Sequence, residues 1–342
     1  MVTEFEVLKV LRDAVDVSTG KKISELGELS VTVNKEGIGI ILLIAEQKSA
    51  EWEQKFKKNC STIVRSSIVG ASKVSVAIVA PEKKQLFSRT KIPGIKNVIL
   101  VASGKGGVGK STVAALTALT LARQGHSVSL VDADIYGPSI PQLLGIKNLA
   151  EVDDHGMLIP IQVQGVQSIS VANIIENKDK AIVWRGPMLS KAINRLITYT
   201  LWSPCDYMII DTPPGTGDAH ISIAKGYDIT GAMVVSTPHE LSVTQALKTC
   251  DMLKNLEVRL LGIVENMSYF VDQNSGHKVH IFGDNGGAGL AERAGTVLLG
   301  AVCIHPNIDL LAVNMRSGPI DRELCKTYED IASSMLKSIS TT

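Results

Sequence analysis

Aromatic residues are scarce, at 4% of 342 residues, which leaves too few rings for a broad base-stacking surface. Charge of one sign is missing too. Lys and Arg number 35 against 34 Asp and Glu, for a net charge of +1, and no long basic or acidic run occurs. Electrostatic capture of nucleic acid or of an anionic membrane is therefore not indicated. The longest apolar run, Ile40–Ala45, falls far short of a membrane span. Met1–Asp16 carries acidic residues and no unbroken apolar stretch, so it does not read as a secretory leader. The five cysteines, at 60, 205, 250, 303 and 325, are odd in number and contain no Cys-x-x-Cys pair. They read as reduced thiols in a cytoplasmic protein rather than a disulfide framework.

What remains is a chain with 45% apolar and 20% charged residues, as folding into packed cores requires. Its length suggests one large domain and a smaller one. In residues 1–80 the apolar spacing predicts a helix over Glu4–Ala14, strands at Leu29–Val33 and Ile38–Ile44, a helix over Ala50–Val69 and a strand at Val74–Val79. Asn34–Gly37 would turn the hairpin between the first two strands. This is a small α-β-β-α-β domain of the α+β class. Residues 81–96, polar and basic with Pro93-Gly94, read as a linker.

From residue 97 to 342 the pattern alternates. Continuous apolar runs mark buried strands at Val98–Ala102, Val128–Val131, Met208–Ile210, Ala232–Val235 and Leu260–Val264. Helical spacing lies between them at Ser111–Gln124, Ser190–Leu201 and Leu241–Leu256. The expected fold is α/β, with a doubly wound, mostly parallel sheet whose ligands bind at the carboxyl ends of the strands.

Immediately after the first of these strands stands Gly104-Lys105-Gly106-Gly107-Val108-Gly109-Lys110-Ser111-Thr112. Glycines allow the backbone to turn successive N–H groups onto phosphates, and the following helix adds the positive end of its dipole. Lys110 would reach the β- and γ-phosphates, and the Ser111 hydroxyl would ligate Mg²⁺. Gly104, Gly106 and Gly109 also spell G-x-G-x-x-G, with Asp132 about 20 residues on, where a dinucleotide's ribose would need an acid. A nicotinamide-dependent oxidoreductase is thus an alternative, but it leaves Lys110-Ser111 and a second acidic strand end unexplained. That second acid is Asp211, which closes Tyr207-Met208-Ile209-Ile210 and is followed by Thr212-Pro213-Pro214-Gly215-Thr216-Gly217. Asp211 would hold Mg²⁺ directly or through its water. Asp132 and Asp134 end another strand, and both strand-tip acids, Asp132 and Asp211, are expected to face the phosphate pocket. Asp134 would position the attacking water, and Asp132 would brace the loop or the metal.

Together these residues resemble the deviant-Walker ATPases, a MinD/ParA-like group of P-loop NTPases that includes division and partition ATPases and the nitrogenase iron protein. The mark is the extra lysine, Lys105. Asp132–Ser139 (DADIYGPS), Asp211–Asp218 (DTPPGTGD) and Val264–Ser268 (VENMS) are more closely similar to the Mrp/ApbC-type iron–sulfur cluster carriers, over about residues 95–325. The resemblance implies a slow ATPase that works as a homodimeric switch. In it Lys105 reaches the partner subunit's nucleotide, Asp134 and Asp211 lie in two switch segments, and Asn266 hydrogen-bonds the adenine. It also implies an iron–sulfur cluster as cargo and cluster-receiving client or scaffold proteins as partners.

Two departures stand out. Asp16-Val17-Ser18 occupies a place where the small domain of bacterial members usually has Asp-Pro. Asp272-Gln273-Asn274-Ser275 occupies the place of the Cys-x-x-Cys pair, one per subunit, that holds a bridging cluster in those carriers. Asp272 and Ser275 offer oxygen where a cluster wants thiolate. His277 and His280 lie nearby and with Asp272 make a weak candidate for a metal ion. A cluster-free, ATP-gated binding module acting on a protein partner is therefore a second reading beside the carrier.

Overall fold

The computed structural model describes residues 2–34, 37–44, 48–69, 71, 73–79, 89–174, 186–272, 275–306 and 322–341. The chain separates into two compact units, Met1–Leu86 and Phe87–Thr342. The segment read as a linker, 81–96, divides accordingly. Residues 81–88 lie outside the described residues, whereas from Arg89 the chain is fastened to the large unit. The Arg89 guanidinium donates to the Leu256 carbonyl at 2.6 Å, and Thr90 bridges Tyr227.

The small unit runs α1 (Glu4–Asp13), α2 (Ile23–Leu26), β1 (Gly27–Asn34), β2 (Gly37–Ile44), α3 (Ala50–Ser67) and β3 (Val74–Val79). Thr3 and Glu6 cap α1 reciprocally, and Ser49 caps α3 through the Trp52 amide. Strands β1 and β2 are antiparallel in the register that pairs Asn34 with Gly37. The two residues of the turn itself, 35 and 36, lie outside the described residues. Alternate residues of β2 (Ile38, Ile40, Leu42 and Ile44) bury against Val7, Leu11, Phe56 and Cys60 of the two long helices. At the place of the first departure, the Asp16 carboxylate accepts from the Thr19 amide and hydroxyl and from the Trp52 indole, so it ties its turn to α3.

The large unit opens with β4 (Ile95–Ser103), α4 (Lys110–Arg123), β5 (Val128–Asp132), α5 (Ile140–Leu143), β6 (Ile161–Val163), β7 (Val166–Ser170) and α6 (Gly186–Thr198). It continues with β8 (Cys205–Asp211), α7 (Asp218–Gly226), β9 (Gly231–Ser236), α8 (Glu240–Asn255), β10 (Leu260–Glu265), β11 (Phe270–Val271) and β12 (Lys278–Val279). It closes with α9 (Gly286–Arg293), β13 (Leu298–Ala301) and α10 (Arg322–Ser340). Strand order in the sheet is β13-β10-β9-β4-β8-β5-β7-β6, parallel throughout except for the β6–β7 pair. On β4 alternate residues part company. Val98, Leu100 and Ala102 pack with α6 to α9 on one face, and Ile99 and Val101 pack with α4 and α10 on the other. A sheet covered on both faces needs apolar residues at every position of its central strands, which is why those strands read as unbroken runs.

Strands β6 and β7 carry no such run. Strand β7, Val-Gln-Ser-Ile-Ser, is fully buried although three of its five residues are polar. The parallel ladder to β5 supplies its backbone bonds, and Ser170 donates to Asp132.

Tyr328 of α10 is fully buried and its hydroxyl has no hydrogen-bond partner among the described residues. An unpaired buried hydroxyl contributes nothing and costs its desolvation. Tyr328→Phe is therefore expected to leave stability unchanged or raise it by up to about 1 kcal/mol, whereas Tyr328→Ala loses about 3–5 kcal/mol. Denaturant unfolding of the two variants beside the wild type checks both signs.

Candidate functional site

Strands β4 and β8 are parallel neighbours in a register that sets Val101 against Asp211, and β5 sets Asp132 against Asp211. Three strands thus end side by side, and the loop that leaves β4 folds over those ends before entering α4. Gly109, the N-cap of α4, has φ +80° and ψ +24°, a left-handed conformation that costs a glycine little. No side chain caps this helix, so its first-turn amides are left to another acceptor. Gly104 is pressed onto α8, where a Cβ would overlap the backbone at Gln245 and Ala246. The result is a pocket of about 490 Å³, lined by Lys105 through Thr112 with Asp134, Ser139, Gln142 and Pro214 among its other walls.

Of the lining residues, Lys110 has its Nζ 2.5 Å from Oδ1 of Asp211, which is fully buried and does not itself line the pocket, and 3.3 Å from the Ser111 hydroxyl. Burial pushes the Asp211 carboxyl upward, and the Lys110 charge and hydrogen bond oppose that push. Asp211 Oδ2 is buried without a hydrogen-bond partner among the described residues. An orphaned carboxylate oxygen beside a serine hydroxyl is a hard oxygen donor set of the kind Mg²⁺ prefers, so Asp211 and Ser111 fit that ion. Lys105 is exposed on the pocket's wall.

Asp134 is half-buried and lines the pocket, its carboxyl raised by burial and pulled back by Lys110. Asp132 does not line it. Contrary to the expectation that both strand-tip acids face the phosphates, Asp132 turns into the loop that follows it. There it accepts from the amides of Asp134, Ser139 and Ile140 and from the Ser170 hydroxyl, at 3.1–3.2 Å. Burial, and then the nearby Asp211 charge, pushes its carboxyl up. Fully buried and engaged on both oxygens, Asp132 is in no position to receive a ribose, which removes the structural basis of the nicotinamide alternative.

Asn266, at the end of β10, is buried, and its Nδ2 donates to the Val108 carbonyl at 2.8 Å. It therefore touches the loop's backbone rather than lining the pocket.

Sequence reasoning passed over His220. It is fully buried in the first turn of α7, with Nε2 2.9 Å from the Thr212 hydroxyl. Thr212 gives its one hydroxyl proton to the Val101 carbonyl at 2.8 Å, so it must accept from His220. The ring is the Nε2–H tautomer, and Nδ1 is left buried without a partner among the described residues. Burial first, and the Lys110 charge second, lowers its pKa to about 4. The signal in the sequence was a lone histidine shortly after Asp211, which has no spacing rule of its own.

At the second departure, β11 and β12 form an antiparallel pair, and Asp272 Oδ1 accepts from the Ser275 amide at 3.0 Å; residues 273 and 274 lie outside the described residues. Asp272 thus serves the turn of its own hairpin. His280 Nδ1 lies 3.4 Å from Asp284, and among the described residues no group of three His, Cys, Asp or Glu gathers to hold a metal. Cys60, Cys205, Cys250 and Cys325 are buried and Cys303 is half-buried. Burial pushes Cys60 to about 12 and Cys250 to about 11, and it raises Cys205 as well, so these three are thiols rather than thiolates at neutral pH.

Comparison with known proteins matches the same region. The sequence profile of the family described as "ParA: NUBPL iron-transfer P-loop NTPase" covers residues 94–336. A protein of Aquifex aeolicus named iron-sulfur cluster carrier protein is 39% identical over 256 residues, which span 73% of this chain and 70% of that one. A protein of the same name from Escherichia coli is 45% identical over 223 residues, spanning 65% of this chain and 60% of the relative's length. Among solved structures, a nucleotide-binding protein of Archaeoglobus fulgidus in complex with ADP is 34% identical with TM-score 0.58, covering 67% of this chain and 91% of that one. The cell division ATPase MinD of Pyrococcus furiosus shares the fold at 20% identity and TM-score 0.53, covering 70% of this chain and 98% of that one.

Removing one member of the buried pair strands the other. Lys110→Ala is expected to destabilise the nucleotide-free protein by about 3–5 kcal/mol, and Lys110→Ala with Asp211→Asn by clearly less than the sum of the single changes. Urea unfolding of the four proteins measures the coupling. Additive losses would show that the two side chains do not sense each other.

Proposed function

The chain belongs to the NUBPL iron-transfer P-loop NTPase family, and on that premise we propose that it is a slow, Mg²⁺-dependent ATPase working as a homodimeric switch in iron–sulfur cluster assembly or delivery. The observation that carries this reading is the buried contact of Lys110 with Asp211 beneath the glycine loop. In the nucleotide-free state each neutralises the other. A nucleotide triphosphate offers Lys110 a better anion, and Lys110 then turns from Asp211 to the β- and γ-phosphates. Bound Mg²⁺ supplies positive charge to the phosphates, and Asp211 and Ser111 are the residues that would hold it.

Catalysis in this reading is positional and electrostatic. The loop amides and Lys110 stabilise the charge that develops on the γ-phosphoryl oxygens. Asp134, on the opposite wall, aligns the attacking water. Asp132 holds the Asp134 segment by its amides, and His220 holds Thr212, the residue after Asp211. Both segments that flank the γ-phosphate position are thus tethered by buried polar side chains, and loss of that phosphate removes what they would be gathered around. Lys105 is exposed at the pocket, and in this reading it reaches a second copy's nucleotide, which ties hydrolysis to the dimer.

The relatives' name, iron-sulfur cluster carrier protein, supports an iron–sulfur cluster as the cargo, and in this reading cluster-receiving proteins are the clients. One observation favours a second reading of that half. Asp272 and Ser275 stand where thiolates would be needed, and Asp272 is spent on its hairpin turn. Under that reading the protein gates a partner without itself holding the cluster.

Lys110→Ala is expected to abolish ATP hydrolysis, measured as phosphate release from a purified protein; turnover like the wild type's would refute the assignment. Anaerobic reconstitution with iron and sulfide separates the two cargo readings. A stoichiometric cluster with charge-transfer absorption supports the carrier, and a protein that stays colourless yet dimerises with ATP supports the gated partner.

A further inference from the structure

The carboxamide of Asn266 is built into the phosphate loop. Its Nδ2 donates to the Val108 carbonyl, and only an NH₂ group can make that bond, so the partner settles the orientation of the amide. The loop leaves space for it: a Cβ on Gly109 would fall on Asn266 Nδ2. Asn266 is itself held on both sides. Its own N–H donates to the Ser236 carbonyl at the end of β9, and the Ser268 N–H donates to the Val302 carbonyl beyond β13, each at 2.8 Å. Glu265, just before it, accepts from the Ser268 hydroxyl and from the Gly287 amide at the start of α9.

The peptide unit joining Val108 to Gly109 is planar, and its C=O and N–H point in opposite directions. Fixing the Val108 carbonyl on Asn266 therefore aims the Gly109 N–H away from Asn266, while the Gly109 carbonyl is taken by the Val113 amide of α4 at 3.0 Å. Gly109 lines the phosphate pocket and Asn266 does not. We propose that Asn266 is a positioning residue for the phosphate loop, setting the peptide between Val108 and Gly109 for polyphosphate binding whatever base the nucleotide carries. The inference rests on the ATPase reading above and assigns Asn266 a task that does not depend on adenine.

Inorganic tripolyphosphate, which has no base, separates the two roles. In the presence of Mg²⁺, Asn266→Ala is expected to weaken ATP, GTP and tripolyphosphate by a similar factor of about 5, the worth of one net hydrogen bond. Asn266→Ser, with a short hydroxyl donor, is expected to recover part of that loss for all three. Unchanged tripolyphosphate affinity with a loss confined to ATP would overturn the proposal and make Asn266 a base reader. The wild-type protein gives a measurement free of folding defects. With ¹⁵N-labelled asparagine, the Asn266 side-chain amide should be protected from solvent exchange without ligand and should shift on adding tripolyphosphate alone. Fast exchange, or a shift with ATP only, would overturn it. Failure of the wild type to bind ATP or tripolyphosphate at all would sink the ATPase reading, whereas an effect limited to ATP sinks this inference alone.

Discussion

A lysine at the start of α4 and an aspartate at the tip of β8, both brought out of water, organise everything around them. Burying two such charges is expensive, and their attraction repays the cost only when the geometry is held and the remaining lone pairs find partners. The sheet order meets the first condition, because β4 and β8 are hydrogen-bonded neighbours that end together, which puts Lys110 of the loop and Asp211 of the strand 2.5 Å apart. The second condition is only half met, since Asp211 Oδ2 has no partner among the described residues. A structure that tolerates one unsatisfied buried oxygen at its most charged point is poised to accept a cation there.

The surrounding polar residues hold the flanking segments in place. Asp132 gathers three backbone amides of the segment behind Asp134, and His220 closes on Thr212 behind Asp211. Asn266 grips the loop from the β10 side. Each of the three contacts backbone or a hydroxyl and leaves the pocket wall to others, so the site divides into residues that line the pocket and residues that hold the liners.

That division marks the limit of what could be read from the chain. The glycine loop was legible by its spacing and Asp134 and Asp211 as acids at strand ends, which the structure brings close to that loop, and the central strands were legible because burial on both faces leaves an unbroken apolar run. Strand β7 was not, since its Gln and Ser residues are buried by neighbours that no local window contains. The turn of Asp132 away from the pocket, the Val108 contact of Asn266 and the tautomer of His220 depend on partners 2 to 158 residues away, and no periodicity encodes them. The replacement of thiols by Asp272 and Ser275 was visible at once, yet only the structure shows the carboxylate folded back on its own turn.

The central position of β4 also bears on how this protein is made. Its two sheet neighbours, β8 and β9, come much later in the chain, with Val101 pairing with Asp211 and Ile99 with Gly231. During synthesis the glycine loop emerges long before either flank exists to receive it, and an apolar strand bearing two open edges must wait for more than a hundred further residues. The nascent chain is therefore most exposed to mispairing, and most in need of chaperone cover, between the appearance of β4 and that of β9. ATP can assist folding only once that interval is over.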